Sequence, residues 1–127
     1  MKNPKVVDKS WELMRTHVDS YGEEIWCLTP KYGDWSAVIH LQSNGKMYLT
    51  LFKGSKKKVD QAVLSSALRS FSKELLKRGI TPTIGVIASK KNTALFRTVR
   101  LAGFCEKTQR IKNRKRPDTV VFEFKKK

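Results

Sequence analysis

The stretch "NTALFRTVRLAGF", Asn92 to Phe104, decides how the chain is read. It predicts a short apolar helix studded with arginines, stopped at Gly103 and followed at once by a strand. Glycine is the common residue just past a helix end, because it takes the left-handed conformation without a Cβ penalty. Working outward, "TPTIGVIA" (Thr81–Ala88) precedes it as a buried strand. "CEKTQRI" (Cys105–Ile111) and "TVVFEF" (Thr119–Phe124) follow as two closing strands, joined by the basic loop "KNRKRPD".

Before Thr81 lies "GSKKKVDQAVLSSALRSFSKELLKRG", Gly54 to Gly79. Val59, Val63, Ala67, Leu68, Phe71 and Leu75 form a helical stripe, with serines and lysines opposite. Gly79 is placed to end this helix, with Lys77 and Arg78 suited to its last turn. Upstream, "DWSAVIHLQSNGKMYLTLFKG" reads as a hairpin around Asn44-Gly45, a dipeptide suited to a type I′ turn. Trp35, Ala37, Ile39 and Leu41 share one face, and Met47, Leu49 and Leu51 oppose Tyr48, Thr50 and Phe52. Both faces are largely apolar, which predicts a sheet covered on both sides. "EEIWCL" (Glu23–Leu28) is a further short strand. Val7, Trp11, Met14, Val18 and Tyr21 recur at spacings of three and four, predicting a first helix over Asp8–Tyr21, with Asp8 or Ser10 as its cap and Gly22 as its stop. The expected order is helix, three strands, long helix, strand, helix, two strands: an α/β domain with a single mixed, mostly antiparallel sheet flanked by helices, filling residues 1–127.

The 127 residues carry a formal net charge of +16. Residues 1–52 hold six Lys/Arg and six Asp/Glu, whereas residues 53–127 hold 21 and five. The whole excess therefore sits in the second half, and such a field favours a polyanion: DNA, RNA, an acidic protein or a phosphorylated cofactor. Arg110, Lys112, Arg114, Lys115 and Arg116 form a dense cluster suited to phosphate contacts without base readout. Neither a helix-turn-helix nor a zinc-finger signature accompanies it. Cys27 and Cys105 have no CxxC partner and read as reduced thiols. No apolar run approaches membrane-span length and no signal-peptide core is visible, so a cytoplasmic protein is expected. His17 and His40 have no further ligand at metal-binding spacing.

In element order over residues 35–124, the chain resembles the GCN5-related N-acetyltransferase superfamily. Its short helix is similar too: Asn92 and Gly103 are eleven apart and Phe104 follows. The resemblance implies acetyl-CoA as cofactor, with its pantetheine arm between the splayed strands Lys46–Lys53 and Thr81–Ala88. It further implies that the long helix offers its first N–H groups to the pyrophosphate, that Asn92 contacts the cofactor from the other side, and that Phe104 plugs the core. Phe52, Lys53, Gly54, Ser55, Lys56, Lys57 and Lys58 would then bound the phosphate loop. The sequence departs from the family pattern twice. Only Gly54 remains of the loop glycines, with three lysines in their stead, and Val99 stands four residues before Gly103, where many members carry a general-acid Tyr. A base for an amine acceptor would come from His40, Glu23 or Glu24, and a proton donor from Tyr48. The implied activity is CoA-dependent N-acyl transfer to an acidic or nucleic-acid acceptor. The alternative is a non-catalytic binding protein of this fold, similar to small basic internal virion proteins of short-tailed phages, in which case the host cytoplasm or the virion would hold it. A third reading is a basic toxin-, ribosome- or RNA-associated α/β domain with only a chance likeness.

Overall fold

The computed structural model describes residues 4–54, 59–87, 93–107 and 119–125. Eight strands form one sheet: β1 (Lys5–Val7), β2 (Trp11–Val18), β3 (Glu24–Pro30), β4 (Trp35–Leu41), β5 (Lys46–Lys53), β6 (Thr83–Ile87), β7 (Phe104–Glu106) and β8 (Thr119–Phe124). Two helices, α1 (Gln61–Lys77) and α2 (Thr93–Leu101), complete the described elements. The strand order is β1-β2-β3-β4-β5-β6-β8-β7. Every pair is antiparallel except β5 with β6. That parallel step follows from the long helix: a strand-helix-strand crossover returns the chain in the same direction.

The first element departs from expectation. Asp8–Tyr21 forms the β1–β2 turn and strand β2, not a helix. Five residues spaced by three and four mimic a helical stripe, yet they do not share a buried face. Trp11 is buried, while Val7, Met14, Val18 and Tyr21 are exposed, and Leu13, outside the stripe, is fully buried. Alternation of Trp11 and Leu13 with Glu12 and Met14 is the period that won. The residues read as caps serve turns instead. The Asp8 side chain accepts a hydrogen bond from the Ser10 amide, and Asp19 accepts from those of Tyr21 and Glu23. Asp caps helices and makes Asx turns by the same short-range bond, so sequence does not separate the two.

The long helix forms over Gln61–Lys77, so that Val59, the first residue of the expected stripe, precedes its Asp60 cap. Its end is a Schellman arrangement: the Gly79 amide bonds the Leu76 carbonyl and the Ile80 amide that of Leu75. Ala67, Leu68, Phe71 and Leu75 are buried, joined by Leu64. Phe71 packs on Trp26 with ring centroids 4.7 Å apart, and Trp11 Nε1 donates to the Ser66 hydroxyl. On α2, Phe96 meets Phe122 edge-on at 5.5 Å. Register places Trp11, Trp26, Ile39, Met47, Ile84 and Phe122 on one sheet face, so both helices lie on that face and share one core.

The other face is open, against the expectation of a doubly covered sheet. Tyr48 is 52% and Phe52 53% exposed. Both faces of β5 are apolar, but only the Met47 side meets a helix layer among the described residues.

The predicted hairpin is present with a different turn. Positive φ among the described residues is confined to glycines, so Asn44 does not take the conformation a type I′ turn demands. The Gly45 amide bonds the Gln42 carbonyl and the Gln42 amide bonds that of Lys46, giving a three-residue loop with Gly45 at φ 87. A Cβ there would stand 2.5 Å from the Thr81 carbonyl oxygen, and the Gly45 carbonyl accepts from the Thr83 amide. Gly45 thus seats β6 against β5. Gly45→Ala is expected to destabilise the fold by more than about 1 kcal/mol in urea denaturation, because strain and backbone collision coincide.

Candidate functional site

Pairing between β5 and β6 is brief. Register covers only Lys46↔Thr83 and Met47↔Ile84, although β5 runs on to Lys53 and β6 to Ile87. Beyond Met47 the two strands share no further described rung. A parallel pair that stops after two rungs leaves a wedge, open towards the C-terminal ends of both strands.

The mouth of this wedge is where the basic connections attach. Gly54 follows β5, and α1 begins after Asp60. Ile87 pairs with Thr119 and the Lys107 amide bonds the Val121 carbonyl, so the β7–β8 connection leaves from the same end. Segments 55–58, 88–92 and 108–118 contain ten of the 27 Lys and Arg residues. Ser55, Lys56, Lys57, Lys58, Asn92, Arg110, Lys112, Arg114, Lys115 and Arg116 lie outside the described residues.

The start of α1 differs from what the resemblance implied. The Asp60 carboxylate accepts hydrogen bonds from the Ala62 and Val63 amides, at 3.0 and 3.2 Å. Two first-turn donors that a pyrophosphate would use are therefore taken by the chain's own anion. A phosphate brought there also meets the Asp60 charge. Asp34 adds a second carboxylate at this end, packed so closely on Gly54 that a Cβ on Gly54 would overlap it. The wedge fits an amide-bearing arm. The α1 amides do not fit a pyrophosphate as they stand.

At the apex of the wedge, Tyr48 follows the last rung and pairs across the sheet with His40. Their ring centroids are 6.3 Å apart. His40 Nε2 lies 3.2 Å from Glu23 Oε2, with both side chains partly exposed. His40, Glu23 and Tyr48 thus come together on the open face, an imidazole beside a carboxylate and a phenol.

Glu24 is not a base candidate. It is 5% exposed and lies 3.1 Å from both Arg15 and Arg78, tying β2, β3 and the end of α1 together. Val99 is fully buried and can give no proton. Phe104 is buried against Phe124, and a Cβ on Gly103, at φ 104, would stand 3.1 Å from the Phe124 ring, which explains the abrupt Ala-Gly-Phe ending of α2. Sequence reasoning missed Asp60. Its signal was an Asp between Val59 and the rest of the stripe, since Asp is a favoured N-cap. Two open grooves border β1 and the C-terminal half of α1, lined by Val6, Lys73, Leu76 and by Trp26, Phe71, Arg78, with no wedge residue among them. No described helix is long and apolar enough to cross a membrane.

No protein-family model and no curated protein matches the chain. Solved structures do. The crystal structure of a protein from Sphaerobacter thermophilus DSM 20745, assigned as an acetyltransferase, superposes with a TM-score of 0.58 at 11% identity, covering 97% of this chain and 96% of that one. AAC(6')-Ib, solved with paromomycin and acetyl-CoA, gives 0.48 at 13% identity, over 91% of this chain and 65% of the other. The fold is like that of the Sphaerobacter thermophilus acetyltransferase structure, as the element order over residues 35–124 anticipated.

The adjacent glutamates should separate by stability. Glu24→Ala is expected to cost about 3 kcal/mol in chemical denaturation, because it strands two guanidinium groups. Glu23→Gln is expected to cost less than about 1 kcal/mol, as for exposed pairs.

Proposed function

We propose that this chain transfers an acyl group from a CoA thioester to an amine on an acidic or nucleic-acid acceptor. The observation that carries the reading is the wedge between β5 and β6, which begins beside Tyr48 and His40. Backbone groups of β5 beyond Met47, with no β6 rung opposite, would pair with the amides of the pantetheine arm. Lys56, Lys57, Lys58 and Asn92, which the family resemblance assigns to the cofactor, would hold its phosphate end. When bound, the cofactor supplies the activated acyl group. His40 would accept the acceptor amine's proton, its ring turned by Glu23. As the carbon–sulfur bond breaks and the carbon–nitrogen bond forms, Tyr48 is the neighbouring phenol able to give a proton to the departing CoA thiolate. A basic wedge mouth suits an acceptor carrying phosphates or carboxylates.

A second reading has its own support. Asp60 on the α1 amides and the buried Val99 are what a protein would have if it kept the fold and bound a polyanion without chemistry.

Titration calorimetry with acetyl-CoA at low salt separates them. Binding to the unaltered protein is expected, accompanied by a rise in melting temperature, since a ligand of the folded state stabilises it. Asp60→Gly frees two amides at a capping cost of a few tenths of a kcal/mol and is expected to tighten binding roughly threefold to tenfold. Asp60→Asn keeps a cap and removes only the charge, so a smaller gain is expected. If no variant binds at millimolar ligand, acyl transfer is excluded and the binding-protein reading stands.

A further inference from the structure

The open face of the sheet carries a pair of exposed rings that a proton donor alone does not call for. Tyr48 and Phe52 lie on the same side of β5, at positions i and i+4, and each is about half exposed. At roughly 3.4 Å per residue their Cα atoms stand about 13 Å apart, so each ring can hold a separate base. The residues opposite and between them are small or flat. Ser36 faces Phe52, His40 faces Tyr48, and Val38 faces Thr50. Lys46, two positions before Tyr48 on the same side, is exposed. Repulsion of phosphates from this side is muted at two of its glutamates, because Glu12 and Glu123 each pair with a lysine, Lys5 and Lys107.

Exposed aromatics cost solvation. A flat sheet face with spaced rings, in a chain of net charge +16, is the arrangement that stacks unpaired bases while cations hold the backbone. We infer that this face binds single-stranded nucleic acid, with bases stacked on Tyr48 and Phe52 and with phosphate held by Lys46. A duplex hides its base faces and has no use for the rings. The inference does not depend on acyl transfer, since it requires neither CoA nor an amine on the bases.

The test is fluorescence anisotropy with a labelled oligothymidylate of about 15 nucleotides and with a duplex of the same length, without any acyl donor. The single strand is expected to bind the more tightly. Tyr48→Ala and Phe52→Ala should each weaken single-strand binding about 5-fold to 100-fold. Their salt dependence should stay unchanged, because a stacked ring releases no counterions. Lys46→Ala should instead reduce the salt slope. Tyr48→Leu and Phe52→Leu keep apolar volume without a ring and should lose the same affinity, which separates stacking from any loss of folding. Equal affinity for single strand and duplex, wild-type affinity in the double Leu variant, or no binding at low salt would each overturn the inference.

Discussion

The parallel contact between β5 and β6 is the constraint on which the remaining structure depends. The sheet has seven neighbouring strand pairs, and six are antiparallel, including β6 with β8, which have α2 and β7 between them in the chain. One pair is joined through α1, which can only bring the chain back parallel and on one face. That crossover places the helix layer, and with it the core. It also leaves the chain a choice of how far the parallel strands stay together. Gly45 seats the first rung against Thr81 and Thr83, and pairing then stops. Two strands held at one end and released at the other form a wedge without any residue dedicated to making it.

Covering one face has a second consequence. The β1–β2 hairpin extends the sheet where a helix was expected, so the side away from α1 and α2 carries no described helix. Trp11 and Leu13 then bury against the α1 side, and the residues alternating with them face outward. The same geometry leaves Tyr48, Phe52 and His40 accessible. Glu24 holds the layers in place from the far end of the sheet, where Arg15 and the α1 C-cap residue Arg78 converge on one nearly buried carboxylate. Such a group is costly to desolvate alone and stable only while both partners remain.

Charge is arranged around the wedge rather than inside it. Cationic segments attach at its mouth, yet the helix start there is closed by Asp60 and the loop is flanked by Asp34. Oriented backbone amides bind an anion in one geometry, whereas lysines on long stems bind many. Here the first device is occupied, since two α1 amides are already bonded to the Asp60 carboxylate.

By itself, the sequence determined the elements whose signals are local. The stripe from Val63 to Leu75, the glycine stops at Gly79 and Gly103, the hairpin centred on Gly45 and the closing strand Thr119–Phe124 all rest on periodicity and on residues a turn or cap requires. Together they were enough for the acetyltransferase-like order. Only the tertiary structure decided the rest. Asp8–Tyr21 satisfies two periods, and burial of Leu13 against the α1 layer selected the strand. Adjacent Glu23 and Glu24 look alike in sequence, and strand alternation sends one to His40 on the open face and the other to two arginines under the helix layer. Asp60 looks like any polar residue before a helix, and only the capping geometry shows that it takes two amides. Local signals select elements, but which face is buried and which anion fills a helix start are set by residues far apart in the chain.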